Sequence, residues 1–124
     1  REVDEFEHPV NHRVAQRHDL IVVSDEVYER LVYGVEHTCF ASLPGMQERT
    51  VILDCFSKTY AMTGFRIGWA AGPSSIIQHM ELLQGHMTTN PSSISQKASI
   101  ATLGMPEDYY RDLKDLFRQR RDLM

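Results

Sequence analysis

Leu20-Ile21-Val22-Val23-Ser24-Asp25-Glu26-Val27-Tyr28 and, further along, Thr50-Val51-Ile52-Leu53-Asp54-Cys55-Phe56-Ser57-Lys58 are the two stretches that decide the fold. Each opens on an apolar, β-branched run and closes on polar and ionisable residues. An unbroken apolar run suits a strand covered on both faces, as in a parallel sheet. Gly34 and the Pro44-Gly45 pair mark turns between them. From Phe65 to Ala71, Phe65, Ile67 and Trp69 alternate with Arg66, Gly68 and Ala70 up to Gly72-Pro73, which predicts a third strand. Helices surround these strands. Pro9 suits the first turn of one running to about His18, with Val10 and Val14 on one face. Ser74 or Ser75 can cap a second, carrying Ile76, Ile77, Met80, Leu83 and Met87 and broken by Asn90-Pro91. A third is expected over about Ser93 to Leu103, and a fourth from Pro106 onward with Tyr109, Leu113, Leu116, Phe117 and Leu123 at helical spacing. The expected class is α/β, a partial three-layer, mainly parallel sheet with flanking helices.

Composition narrows the function. The chain has 124 residues, and 17 acids against 13 lysines and arginines leave a net charge of −4. A general nucleic-acid binder usually shows a basic surplus, so no nucleic-acid partner is expected. Hydrophobic residues at 42% suit a globular fold rather than a disordered one. No apolar stretch approaches the roughly 20 residues of a membrane helix, so no membrane partner is expected. There is no secretory signal at the start, and Cys39 and Cys55 are too few for a disulfide framework or a four-ligand zinc site. A reduced, cytoplasmic setting is the expectation. Arg1 in place of an initiator Met, and a last helix that stops without a terminating signal, predict a single partial domain over residues 1–124, truncated at both ends.

Several motifs carry no chemistry on inspection. Ser57-Lys58-Thr59 lacks the glycines that a phosphate loop requires before its lysine. His8 and His12 share a helical spacing but have no third convergent ligand, so they read as solvated. Arg118, Arg120 and Arg121 interleave with Asp112, Asp115 and Asp122, the pattern of a solvated helix face. Cys55 has no histidine near it in sequence and reads as a small buried residue.

One constellation remains. Asp25 and Tyr28 follow the first strand and Lys58 follows the second, and ligand sites in parallel α/β sheets gather beyond the strands' carboxyl ends. Arg66 opens the expected third strand, flanked by Gly64 and Gly68. An amine, an acid, a phenol, hydroxyls and a guanidinium suit a phosphorylated, aromatic, carbonyl-bearing ligand. The plainer reading is a lysine at a loop tip, an arginine on an edge strand and an aspartate capping a turn.

The segment Ser57-Lys58-Thr59-Tyr60-Ala61-Met62-Thr63-Gly64-Phe65-Arg66-Ile67-Gly68 closely resembles the lysine signature of the class I/II aminotransferases, pyridoxal-phosphate (PLP) enzymes of the aspartate aminotransferase fold. Asp25-Glu26-Val27-Tyr28-Glu29 upstream is similar to the family's second hallmark. Thr88 to Ser93 with Gln96, and the Arg120-Arg121-Asp122 ending, are similar as well, so the resemblance runs from about His18 to the end. It implies the cofactor-binding portion of a fold type I large domain, the cofactor pyridoxal 5'-phosphate, amino-acid and 2-oxo-acid substrates, and a homodimer. The resemblance also implies that the family's other site residues lie outside this stretch.

By the same resemblance, Lys58 joins the cofactor aldehyde as a Schiff base and later carries the substrate's Cα proton. Asp25 keeps the pyridine nitrogen protonated, Tyr28 hydrogen-bonds the ring's phenolic oxygen, and Arg66 clamps the phosphate with its planar fork. Cys55 departs from the family's Ser or Gly three residues before the lysine and is a weaker donor. Ser57, on the same side of an extended strand, is the expected substitute. A carbon–sulfur lyase or cyclising synthase on the same scaffold would use the same residues, and a non-catalytic remnant would not need them. The 124 residues alone are not expected to catalyse transamination.

Overall fold

The computed structural model describes residues 7–124, with side chains from residue 12 onward. In chain order the elements are α1 (Glu7–Arg17), β1 (Val22–Asp25), β2 (Thr50–Cys55), β3 (Gly68–Ala71), α2 (Ser74–Met87), α3 (Ser93–Thr102) and α4 (Glu107–Asp122). Short 3₁₀ turns cover Phe40–Ser42, Gln47–Arg49 and Thr63–Phe65. The chain gathers into two compact units. The first comprises the chain up to Glu26, Thr38–Asp54 and Trp69–Asn90; the second comprises Val27–His37, Cys55–Gly68 and Pro91–Met124.

The first unit carries the sheet, in the order β1-β2-β3. β1 and β2 are parallel, with Val22 opposite Thr50 and Asp25 opposite Leu53. The ladder extends one step further, because Glu26 N–H donates to Leu53 O at 2.9 Å. β3 runs antiparallel to β2. Phe56, just past the end of β2, donates to Ile67 O just before β3, whereas Gly72, just past β3, lies against Thr50 and Val51 at the start of β2. A Cβ at Gly72 would stand 2.9 Å from Thr50 O and 3.1 Å from Val51 Cα, so glycine is what lets the chain leave the sheet here.

A small core forms where Ala15 of α1 meets Phe40 and Met46, with Val22 and Leu43 packed against it. α1 closes on a Schellman arrangement: Leu20 N–H bonds Ala15 O and Asp19 N–H bonds Gln16 O, with Asp19 at φ 49°. Arg49 secures that turn, donating to Asp19 Oδ1 at 3.0 Å and to Leu20 O at 3.3 Å. Pro9 lies in the first turn of α1, as the sequence predicts; the side chains of His8 and Val10 fall outside the described residues.

Several expectations need correction. The first strand starts at Val22 rather than Leu20 and includes Asp25 as its last residue. It is not covered on both faces, since Val23 is 64% exposed. The third strand starts at Gly68 because Arg66 adopts φ 50°, ψ 53°, a left-handed conformation that no extended strand contains. Neither Ser74 nor Ser75 caps α2. Pro73 occupies that position, and its carbonyl accepts from Ile76 and Ile77 N–H. In α1, Val14 is exposed and Ala15 is the buried residue.

Candidate functional site

The second unit holds the lysine. Past β2 the chain turns sharply: Ala61 N–H bonds Lys58 O at 3.1 Å and Met62 N–H bonds Phe56 O at 3.1 Å. Phe56, Thr59 and Met62, three residues apart, are buried at 7%, 3% and 7% exposure. This inward set anchors the loop and leaves Ser57 and Lys58 half-buried. Ser95 on α3 ties down the far end of the same segment by donating to Phe65 O at 2.7 Å. Ala61 and Arg66 both take positive φ, 53° and 50°, so the loop carries two residues in a conformation that L side chains resist.

Lys58 and Ser57 line a cleft of about 820 Å³ together with Tyr28, Thr63, Arg120 and Arg121. The Lys58 Nζ stands 5.7 Å from the centroid of the Tyr28 ring. Leu31, Phe117 and Met124 supply apolar wall. Lys58, Arg120 and Arg121 bring three cations to the cleft, and among the described residues no Asp or Glu side chain lines it. The Arg121 guanidinium lies 4.8 Å over the Tyr33 ring and pairs with Asp122 at 2.7 Å. Such a cleft, aromatic on one wall and cationic in charge, suits a flat anionic ligand within the usual volume of small-molecule sites.

Beside the cleft, aromatic packing fixes the loop to α4. Tyr60 stacks on Phe56 with centroids 4.9 Å apart and meets Tyr110 edge-on at 5.6 Å. Tyr109 OH donates to Tyr60 O at 3.2 Å. Burial, with the Tyr110 hydroxyl as its neighbour, pushes the Tyr60 phenol up to about 12. Arg30 lies 4.4 Å over the Tyr110 ring and bonds both Glu107 oxygens, at 3.1 and 3.3 Å.

Tyr28, Ser57 and Lys58 are thus brought together. Arg66 does not line the cleft; it is exposed, and its Nη1 donates to Thr63 O at 2.8 Å. Asp25, in the first unit, is the exposed last residue of β1. Ser57 reaches the cleft by a route other than the expected one. β2 ends at Cys55, so strand alternation does not relate the two residues, and the turn presents Ser57 instead. Cys55 is half-buried, does not line the cleft and is not in a disulfide. Arg120 and Arg121, read from sequence as solvated, also line the cleft. The available signal was Phe117, which shares a helical face with Arg121 at the i,i+4 spacing. Glu26 was passed over as well, and it is buried at 6% exposure. Among the described residues no group of three His, Cys, Asp or Glu could hold a metal, and no helix is long and apolar enough to cross a membrane.

Residues 12–124 match the family model described as aminotransferase class I and II. Over 115 residues the chain is 44% identical to a bifunctional aspartate aminotransferase and glutamate/aspartate-prephenate aminotransferase of Petunia hybrida, covering 90% of this chain and 24% of that protein. It is 42% identical over 113 residues to an aspartate aminotransferase of Geobacillus stearothermophilus, covering 90% and 29%. Among solved structures, the aromatic aminotransferase from Pyrococcus horikoshii superposes with a TM-score of 0.88 at 39% identity, over 94% of this chain and 32% of that one. The chain therefore spans about a quarter to a third of the length of these relatives.

Proposed function

The chain belongs to the class I and II aminotransferases, a pyridoxal-phosphate-dependent family, and on that premise we propose that it is the large-domain portion that holds the cofactor and bonds it through Lys58. The observation that carries this is the cleft itself, with its lysine beside a tyrosine ring, two hydroxyl side chains and two arginines. That donor set fits a phosphorylated aromatic aldehyde: an amine for the aldehyde, hydroxyls and cations for the phosphate, and a phenol for the ring oxygen. The reaction we assign to the whole protein moves an amino group from an amino acid to a 2-oxo acid.

When bound, the cofactor supplies an electron sink for the charge left as the substrate loses its Cα proton. The protein's residues do the rest. Lys58 Nζ would hold the cofactor at its aldehyde and would serve as the base and acid for the substrate's Cα proton. Asp25 would pair with the pyridine nitrogen and keep it protonated. Tyr28 OH would hydrogen-bond the ring oxygen. Ser57 would donate a hydroxyl to the phosphate, and Arg66, whose guanidinium bonds Thr63 O in this structure, would offer it a planar fork. A cytoplasmic homodimer is the accompanying reading, supported by two cysteines outside any disulfide and by exposed apolar side chains such as Ile21 and Leu83.

The test is to load the intact protein with PLP, reduce with borohydride and locate the label by mass spectrometry. Label concentrated on Lys58 over Lys97 and Lys114, and lost in Lys58→Ala, is the expected result. Equal labelling of the three would overturn the assignment. Release of ammonia or a thiol from amino acids, without exchange against a 2-oxo acid, would instead point to lyase chemistry on this scaffold.

A further inference from the structure

Glu26 is among the few ionisable side chains buried in the structure, at 6% exposure, and it stands between Asp25 and the loop that carries Tyr28. Burying a carboxylate is costly unless hydrogen bonds compensate for the lost water. Here Oε1 accepts from Phe40 N–H at 2.9 Å and from Ser24 Oγ at 2.9 Å, while the Glu26 backbone N–H donates to Leu53 O at 2.9 Å. One residue therefore joins three pieces of chain: the end of β1, the end of β2, and the point 14 residues on where the loop returns. The loop between, Val27–His37, contains Tyr28, Leu31 and Tyr33, all three of which line the Lys58 cleft.

We propose that Glu26 is a positioning residue whose buried carboxylate closes the base of the Val27–His37 loop, and so fixes Tyr28 for the cofactor. The physical reason is loop entropy. Tying the two ends of a flexible segment removes most of the conformations in which its side chains wander. A charged acceptor holds the tie more strongly than a neutral one would. Phe40, buried at 9% exposure with Met46 and Ala15 in the same core cluster, anchors the returning end, so the tie is made to a packed residue. The inference rests on the cofactor reading above for the purpose of the positioning, but the tie itself does not.

Two measurements on the intact protein separate those parts. Hydrogen exchange on the cofactor-free protein compares wild type with Glu26→Ala and Glu26→Gln. In Glu26→Ala, amides of residues 27–40 are expected to exchange about tenfold to a hundredfold faster, the loss typical of a hydrogen bond to a charged group, with β2 amides unchanged. Glu26→Gln, which keeps an acceptor oxygen for Phe40, is expected to fall between, and it serves alone if Glu26→Ala does not fold. The second measurement loads the protein with PLP and follows the visible band of bound cofactor against pH. The pH of its transition is expected to shift in both variants, toward the value found for Tyr28→Phe. Unchanged loop exchange, or acceleration spread equally through β1 and β2, overturns the tie. Faster loop exchange with an unmoved spectral transition overturns the positioning role. A wild-type protein with no visible band overturns the cofactor reading and the positioning role together, leaving the exchange data to judge the tie.

Discussion

Arg66 shows at a single residue how local strain and ligand chemistry compete. Its φ of 50° and ψ of 53° lie where a Cβ crowds the following carbonyl, at roughly 1–2 kcal/mol for an ordinary residue. Glycine would remove that crowding but would also gain freedom in the unfolded chain, so the two effects partly cancel. Arg66→Gly is therefore expected to leave the stability of the cofactor-free protein unchanged or raise it by up to about 1 kcal/mol. The same variant is expected to weaken PLP binding at least about tenfold, the scale of one charge-assisted hydrogen bond. Chemical denaturation and a cofactor titration check the two halves separately. A marked loss of stability would show that the guanidinium's bond to Thr63 O outweighs the backbone strain.

At the scale of elements, the lysine loop is held from below by α3 and from the side by α4. Ser95, buried at 6%, donates its hydroxyl to Phe65 O, and Ser99 Oγ donates in turn to Ser95 O at 2.9 Å. Ser95→Ala leaves a carbonyl without its donor and is expected to cost about 1–2 kcal/mol, read as a lower urea midpoint at unchanged slope. On the α4 side, Tyr60 titrates near 12 in the fold against an ordinary value of 10.0. A folded-state value above the unfolded one means that the native state holds the proton more tightly. Its contribution to stability is complete below pH 10.0 and is lost as pH climbs toward about 12. Urea melts at increasing alkaline pH should show the wild type losing stability across that window and Tyr60→Phe losing less. Parallel decline of both would exclude Tyr60 as the group responsible.

At the scale of the whole molecule, apolar exposure dominates. Ile21, Val23, Leu83 and Ile100 are 57%, 64%, 60% and 71% exposed. The surface ion pairs, such as Arg111–Asp108 and Arg118–Asp115, contribute little against this. Exposed apolar side chains favour association where they lie together. The 124-residue chain by itself is expected to self-associate in a concentration-dependent way in sedimentation experiments, and to show no measurable transamination. A monodisperse monomer, or clear turnover by that chain, would contradict this account.

Local pattern was enough for much of this. The apolar runs at Val22 and Val51, the turn at Pro44-Gly45 and the breaks at Asn90-Pro91 and Gly104–Pro106 set the α/β order and element type, because hydrophobic period and backbone restriction act within a few residues. The Lys58 and Asp25–Tyr28 segments were legible for the same reason, as short contiguous strings. Other features depend on contacts between distant residues, and no local pattern encodes those. Only the tertiary structure turned Arg66 into a left-handed corner instead of a strand residue and carried Ser57 into the cleft through a turn. Only it brought Arg120 and Arg121 from the last helix to the lysine, and buried Glu26 against Phe40, 14 residues away. Sequence determines which groups the chain possesses and which elements carry them. Packing and loop closure decide which of those groups meet.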